Sequence, residues 1–197
     1  MHQNVKLRTM KTSHYFQIRF ISVCVFIFFI AEPVPAVPES GKWVVENKQI
    51  KLEMIARTPE QMAAFYEARG FPRKVLDEVR KMCFITVGVT NKSRDIIWMR
   101  LANWTFSLPQ GSLKRFHRNE LKARWQQFGL AQRHQSTFRW TLIPEVLDYR
   151  PEEHEGGNIV LPRTGSTFSL RAEFVMGAKE EGEHISIQVN DLRCTED

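Results

Sequence analysis

The stretch CFITVGVTNKSRDIIWMRL, Cys83 to Leu101, decides the fold. Apolar side chains recur at every second position of its first half, at Cys83, Ile85, Val87 and Val89. A period of two residues is that of a β-strand with one buried face. The polar run NKSRD is typical of a turn, and the apolar run IIWMRL follows it. The stretch therefore predicts two successive strands joined by a short turn.

Segments with the same period lie on both sides of this stretch. They are IKLEM (50–54), NWTFSL (103–108), FRWTL (138–142), TFSLRAEFVM (167–176) and ISIQV (185–189), and NIVLP (158–162) is a further short strand segment. In FRWTL every second residue is large and apolar, so we interpret it as a strand. After ISIQV, Leu192 and Cys194 break the alternation, which predicts a β-bulge near residues 190–191. Short one-sided strands separated by turns predict antiparallel sheets packed face to face.

Two short helices are predicted near residues 59–82, before the main run of strands. Thr58 can cap the first helix, and Gln61 completes a capping box with it. Gly70 and Pro72 are typical of the end of that helix. In the second helix, apolar residues share one side, at Val75, Leu76, Val79 and Met82.

One inserted helix is predicted near residues 118–128. Leu121, Trp125 and Phe128 share one face, Asn119 can cap the start, and Gly129 can end the helix. The predicted fold class is therefore α+β and mostly β: an antiparallel β-sandwich with two short N-terminal helices and one inserted helix.

Three runs of the chain resemble bacterial exported immunoglobulin-like β-sandwich domains. They are ITVGVTNKSRDIIWMRLANWTFSL, GGNIVLPRTGSTFSLRAEFV and ISIQVND, within residues 83–193. In such domains a V-x-V-x-N strand precedes a polar turn, and a late strand follows a loop that ends in an apolar residue and proline. The resemblance implies an immunoglobulin-like sandwich and an envelope location. It implies no functional residue, because such domains host many roles.

The N-terminus has the pattern of a secretory signal peptide. Residues 1–19 hold four basic residues and no acidic one, and the uncharged run FISVCVFIFFIA (20–31) follows. As a helix this run would reach only about 18 Å, whereas a bilayer core is about 30 Å thick. We therefore predict a signal peptide over residues 1–36, a single mature domain over residues 37–197, and a periplasmic or extracytoplasmic location. The alternative is a retained N-terminal anchor in the inner membrane.

The charge balance does not favour nucleic acid as a partner. Residues 1–36 contain four of the 28 basic and one of the 22 acidic residues. The remaining 24 basic and 21 acidic residues give a net charge of +3, which is too small to indicate a nucleic-acid-binding protein. Two cysteines remain, Cys83 and Cys194. In an oxidising compartment they are predicted to form a disulfide, and two buried free thiols are the alternative.

No motif in the sequence predicts catalysis. The metal-dependent HExxH, the nucleophile elbow GxSxG and the phosphate-binding glycine loop are all missing. The acidic run PEEHEGG (151–157) is interpreted as a solvated loop, because adjacent residues do not converge on one ion without an unusual backbone. We therefore expect no catalytic, metal-binding or cofactor-binding residues, and no cofactor. The alternative is an enzyme whose catalytic residues are dispersed along the chain.

The segment KRFHRNELKARW (114–125) is the most plausible binding surface. Its candidate residues are Lys114, Arg115, Arg118, Lys122 and Arg124. A basic amphipathic helix can lie on an anionic membrane surface, but a helix that packs Trp125 inward for structural reasons explains the pattern as well. The sequence as a whole predicts an exported binding or accessory module of the bacterial envelope. It would act through a surface on an envelope protein partner, with a periplasmic enzyme or a binder of anionic membranes as alternatives.

Overall fold

The structure is a computed structural model that describes residues 41–196. The strands are β1 Lys42–Glu46, β2 Ile50–Arg57, β3 Met82–Asn91, β4 Ile97–Arg100, β5 Thr105–Leu108, β6 Gly111–Ser112, β7 Val146–Tyr149, β8 His154–Pro162, β9 Phe168–Met176 and β10 Glu183–Leu192. The helices are α1 Pro59–Glu67, α2 Arg73–Arg80, α3 Arg118–Gln127 and α4 Gln132–Thr141. The predicted signal peptide lies outside the described residues.

The strands form two antiparallel sheets. The first has the order β1-β2-β3-β8, and the second has the order β6-β5-β9-β4-β7, with β10 also paired to β9. The strands that flank NKSRD are placed in different sheets, β3 in the first and β4 in the second. Two antiparallel sheets with four helices confirm the mostly-β, α+β prediction, and their arrangement is sandwich-like.

A core of buried side chains joins the two sheets. Leu52 and Val87 from the first sheet and Leu170 and Phe174 from the second belong to one cluster, and each is at most 1% exposed. The alternate residues of β3 that decided the fold lie in this cluster. Burial of one face of each sheet against the other is the main contribution to stability that this pattern provides.

The helices cover the other face of the first sheet at one end. Phe84 and Val160, which are paired between β3 and β8, belong to a second buried cluster formed with the helices. Its helical and loop members are Met62, Tyr66, Phe71, Val75, Leu76, Val79, Leu121, Trp125, Leu130 and Phe138. The start of β3 is therefore buried on both faces. Further along the strand, the outward residues Thr86, Gly88 and Thr90 are partly exposed.

Two helices, α3 and α4, are inserted between β6 and β7, whereas the sequence predicted a single helix there. The interpretation of FRWTL as a strand is wrong, because residues 132–141 form α4. His134 and Phe138 are its buried residues, spaced by four positions as on one helix face, whereas Trp140 is 87% exposed. The alternation in the sequence was therefore incidental. Helix α3 begins at Arg118, as predicted, but its N-cap is His117 and not Asn119, and the Glu120 carboxylate accepts the backbone N–H of His117 at 2.7 Å.

The capping of the first helix is as predicted. The Thr58 hydroxyl accepts the backbone N–H of Gln61 at 3.1 Å, and the Gln61 side chain accepts that of Thr58 at 3.2 Å. Gly70 has a φ of +76° beyond the helix end, a conformation that glycine adopts without strain. The two hydrogen bonds of the capping box satisfy backbone donors that a helix start leaves without partners.

The acidic run PEEHEGG is only partly a loop. Residues Pro151 and Glu152 form the turn, and β8 begins at His154. Gly156 pairs with Gly88 of β3, and a Cβ atom on Gly156 would lie 2.1 Å from the carbonyl oxygen of Val87. Gly156 therefore permits close pairing with β3, Gly157 permits close approach of the Ile143 backbone, and neither glycine marks a turn.

The sulfur atoms of Cys83 and Cys194 lie at bonding distance, with their Cα atoms 5.5 Å apart. This pairing agrees with the predicted disulfide and ties the end of the chain to β3. The register of β10 against β9 shifts between Val189 and Leu192, and Asp191 has a φ of 57°. The predicted β-bulge is thus confirmed, and it brings Leu192 to the buried face from which Cys194 can reach the core.

Candidate functional site

Helices α3 and α4 form a hairpin that is anchored to the first sheet by its aromatic residues. Trp125 of α3 and Phe138 of α4 are each 1% exposed, and their rings lie 4.9 Å apart in an edge-on arrangement. Gly129, with a φ of 65°, lies just beyond α3, and the backbone N–H of Leu130 donates to the Trp125 carbonyl at 2.9 Å. These contacts fix the two helices side by side and leave a groove between their outer faces.

The groove has a volume of about 800 Å³, within the range of pockets that hold drug-sized ligands. Its floor consists of Leu121, Trp125, Phe138 and Leu142, each at most 6% exposed. The floor is thus already sealed by its own packing. The groups that a ligand meets are mostly polar and lie on the walls.

The walls have the spacing of two helix faces. From α4 they include Gln132, Gln135, Ser136 and Arg139, which recur at intervals of three and four residues. From α3 and the residue before it they include His117, Arg118, Asn119 and Lys122. Pro144, Glu145 and Val146 lie at one end of the groove, where the chain enters β7.

The five basic residues singled out in the sequence do not share one surface. Arg115 is 8% exposed and forms a two-bonded ion pair with Glu145, at 3.0 and 2.5 Å. Arg124 pairs with Glu78 of α2 at 2.6 Å, and Lys114 lies 3.5 Å from Glu120. Only Arg118 and Lys122 line the groove with charges that the described residues leave without an ion pair.

The structure adds Arg139 to these two. Sequence reasoning missed it because it lies in the segment that was interpreted as a strand. The available signal was the interval of four residues between His134, Phe138 and Leu142, which are all buried. That interval is helical and predicts a helix that contains Arg139, whereas the position of Arg139 on the groove wall is set by the tertiary fold.

The positive charge of the described chain is concentrated in this hairpin and its flanks. Residues 113–145 contain seven basic and two acidic residues, a net charge of +5. The other residues between 41 and 196 contain 17 basic and 17 acidic residues. A small net charge for the whole domain therefore conceals one strongly basic region, which attracts anions by long-range electrostatics.

Arg118 lies in an unfavourable environment for its own charge. Burial, and then the like charge of Arg139, lower the pKa of the Arg118 guanidinium, and the carboxylate of Glu145 offsets this only in part. One nitrogen of Arg118 donates to the Leu142 carbonyl at 2.5 Å, and its Nε has no hydrogen-bond partner among the described residues. An anion placed between Arg118 and Arg139 would relieve the repulsion and could bind the guanidinium groups through paired hydrogen bonds.

Two further buried polar atoms on the groove lining have no hydrogen-bond partner within residues 41–196. They are the indole nitrogen of Trp125 and the side-chain oxygen of Gln135, whose amide nitrogen donates to the Leu130 carbonyl at 2.7 Å. A buried donor or acceptor without a partner costs about 1–3 kcal/mol. Together with Arg118 Nε, the lining therefore holds two donors and one acceptor just beneath its surface, which a ligand would satisfy if neighbouring side chains shift.

The Arg115–Glu145 pair forms the end wall of the groove. Burial alone would raise the pKa of the Glu145 carboxyl, but the hydrogen bond and charge of Arg115 outweigh it and hold the pKa below its ordinary range. Glu145 is therefore ionised at neutral pH, and its charge is neutralised by Arg115. The pair also contributes to the attachment of the loop before α3 to β7.

The described residues do not assemble a recognisable catalytic or metal centre. No three His, Cys, Asp or Glu residues among them lie close enough to share an ion. Ser136 and His117 both line the groove, but no hydrogen bond joins them in the described part of the chain. His154 at the head of β8 instead shares a hydrogen bond with the Thr90 hydroxyl, at 2.8 Å, on the exposed face of the first sheet.

No family model, no curated protein and no solved structure matches the chain. Within residues 41–196, none of the helices has the length and apolar character needed to cross a bilayer.

Proposed function

We propose that this protein is an exported binding module of the bacterial envelope, in which the groove between α3 and α4 receives an anionic partner. The observation that carries the proposal is the coincidence of three features in one place. The groove has the volume of a ligand site, the hairpin region holds the net charge of the described chain, and buried polar atoms on the lining have no partner among the described residues.

In this proposal the sandwich is immunoglobulin-like and serves as a rigid carrier. The V-x-V-x-N pattern supports this, because its Asn91 is fully buried and orders the turn after β3. The Asn91 amide donates to the carbonyls of Asp95 and Tyr149, at 2.7 and 2.8 Å, and its oxygen accepts the backbone N–H of Ser93. Export rests on the signal-like residues 1–36, and sequencing the N-terminus of the natively expressed protein tests it.

We propose binding and not catalysis, because the polar groups of the groove are arranged for recognition. Cations, amides and a hydroxyl line it, whereas a nucleophile would need a base within hydrogen-bond reach. Both cysteines that follow the signal-like segment lie in the disulfide pair. A partner protein in the envelope remains the prediction from the sequence, and the groove is where we propose that it or another anionic component docks.

A photo-crosslinking experiment tests this role of the groove. A benzophenone amino acid replaces Ser136 on the groove wall, and in a matched control it replaces Gln188, which is exposed on β10. In intact cells we expect an adduct with an envelope component from position 136 only, and we expect it to be lost when Lys122→Glu and Arg139→Glu are added. No adduct, or equal adducts from both positions, would contradict the proposal.

Binding to an anionic membrane surface is the second candidate, and Trp140 favours it. This side chain is 87% exposed and follows Arg139 on α4, and tryptophan beside basic residues is typical of membrane interfaces. Co-sedimentation with vesicles that contain anionic lipid tests it. If membranes are the partner, Trp140→Ala should reduce binding as strongly as Arg139→Gln does.

A further inference from the structure

We infer that the groove between α3 and α4 is a site for an anionic saccharide, meaning a sugar that carries a phosphate or carboxylate group. This inference rests on the proposed function and names the ligand class of the same groove. It follows from which chemical groups the groove presents and which it hides.

The cationic groups select for an anion. Arg118, Lys122 and Arg139 come from both walls, and the end-wall carboxylate of Glu145 is already neutralised by Arg115. Guanidinium groups form paired hydrogen bonds with phosphate and carboxylate oxygens. Because Arg118 and Arg139 line the groove from its two walls and the charge of Arg139 acts on Arg118, the space between them is the most favourable place for the anion.

The neutral polar groups select for hydroxyls. Asn119, Gln132 and Gln135 offer carboxamides, and Ser136 offers a hydroxyl, all on the same lining. A carboxamide donates and accepts at once, which matches a sugar hydroxyl that does the same. The buried Gln135 oxygen, without a donor among the described residues, needs a donor such as a hydroxyl, which a simple inorganic phosphate provides poorly.

The floor argues against an apolar ligand. Its four apolar side chains are at most 6% exposed, so a lipid tail would find little surface to cover. A single-stranded nucleic acid is also disfavoured, because base recognition relies on exposed aromatic faces and the rings on this lining are buried. A compact ligand with one charged group and several hydroxyls uses what the groove offers.

Calorimetric titration of the natively expressed protein tests the inference with four probes. Glucose 6-phosphate and glucuronate carry both features, inorganic phosphate carries the charge alone, and glucose carries the hydroxyls alone. We expect one or both anionic sugars to bind at least about tenfold more tightly than phosphate, since hydroxyl hydrogen bonds add to the charge. Glucose should not bind measurably. Which anionic sugar binds better distinguishes phosphate from carboxylate as the charged group.

Three variants locate the site. Arg139→Gln should weaken binding of the anionic sugars about ten- to hundredfold, the range expected for a lost hydrogen bond to a charged group. Gln135→Leu should remove the preference for the sugar over phosphate. Arg133→Gln is the matched control, because Arg133 is exposed on the same helix but does not line the groove, and it should leave binding unchanged.

The NMR signals of individual side chains show where a ligand binds, independently of how tightly it binds. Ligand binding should shift the Trp125 indole and Gln135 amide signals. It should leave the indole of Trp98 unchanged, since that indole donates to the Gly177 carbonyl at 2.7 Å on the second sheet. Equal affinities for phosphate and both sugars, or binding that Arg139→Gln leaves intact, would overturn the inference. Binding of anionic vesicles without binding of any of the four probes would also overturn the inference.

The two failures can be told apart. If none of the four probes binds but the Ser136 crosslink still captures an envelope component, the saccharide inference is wrong and the groove remains a binding site. If the sugars bind but no crosslink forms in cells, the groove has a ligand and the proposed docking role fails.

Discussion

The two buried clusters of this protein differ in composition and in how they are held together. The cluster between the sheets is mainly aliphatic, draws on both sheets and includes Cys83 of the disulfide pair. The cluster under the helices is rich in aromatic rings, including those of Tyr66, Phe84, Trp125 and Phe138. Around it lie non-covalent ion pairs such as Arg124–Glu78 and Arg80–Glu60.

The two clusters thus belong to regions with different roles: the sandwich supports the fold, and the helical layer carries the candidate site. The antiparallel ladders and the disulfide restrain the sandwich, and the candidate site lies mostly on the helical layer and its flanking loops, with Val146 of β7 at one end. Regions that bind are commonly carried by a more stable scaffold and open at lower free energy. We therefore expect amide hydrogen exchange to be faster in α3 and α4 than in β3 and β9.

The largest effect is expected from removing the disulfide. Replacing both Cys83 and Cys194 with alanine should lower the free energy of unfolding by about 4–5 kcal/mol, the chain-entropy value for a closed loop of about 100 residues. Urea unfolding measures this loss. Before that, non-reducing mass spectrometry should show that the natural protein is about two hydrogens lighter than its reduced form. The Trp125 indole signal should stay unchanged in the folded variant. A change of under about 1 kcal/mol would mean that the sandwich does not depend on the bond.

The same contrast explains how far the sequence could predict the fold. Each strand of the sandwich buries one face, so its two-residue period, the bulge at 190–191 and the Cys83–Cys194 pairing followed from the residues. The start of β3 is buried on both faces, so its alternation predicted the strand but not the helices that cover it. In α4, Trp140 faces solvent although its neighbours in the pattern are buried, and nothing local marks which apolar residue packs inward.

The candidate site was harder still to predict. Arg118 and Lys122 were found because they lie in a visibly basic run, but Arg139 was hidden in a misassigned segment. Arg115 and Arg124 have the same sequence signature as Arg118, yet acidic residues from distant parts of the chain, Glu145 and Glu78, neutralise them. Pairing across 30 and 46 positions is a property of the tertiary fold, which composition and spacing do not encode.

The second-largest effect concerns the aromatic cluster. Trp125→Ala should destabilise the protein by about 3–4 kcal/mol, toward the lower part of the range for buried aromatic residues, because the adjacent groove lets neighbours relax. Trp140→Ala is the matched control on the same hairpin, and its exposure predicts a change within about 0.5 kcal/mol. Thermal and urea unfolding measure both. Equal losses would show that the hairpin packs differently from the structure.

A smaller and pH-dependent effect is expected from the end wall of the groove. Because the folded state holds the pKa of Glu145 below its ordinary range, the pair stabilises the protein above pH about 4.5, and this contribution is lost as pH falls through the lowered value. Glu145→Gln should cost about 2 kcal/mol at pH 7, reduced from the value for a fully buried pair because Glu145 is partly exposed. Urea unfolding at pH 7 and at pH 3 should show the difference between the two proteins shrink.

Glu180 provides the control for this measurement. It binds Arg100 with two hydrogen bonds, at 2.7 and 2.9 Å, but Arg100 is about half exposed. Exposed ion pairs contribute little because solvent screens them, so Glu180→Gln should change stability less than Glu145→Gln at pH 7. An equal cost would indicate that burial of Arg115 adds nothing.

Substitutions on the groove walls are expected to have the smallest effect on stability. Their effect on anion binding should be large by comparison. Lys122→Ala and Arg139→Gln should each change the free energy of unfolding by less than about 0.5 kcal/mol, because both side chains are exposed and neither is among the ion pairs of the described residues. Removing the charge of Arg139 even relieves repulsion on Arg118. If the groove is a recognition site, Arg139→Gln should nevertheless weaken anion binding about tenfold or more. A variant that unfolds more easily and also loses binding would show that Arg139 supports the hairpin, and unchanged stability with lost binding would show that the charge is there for the ligand.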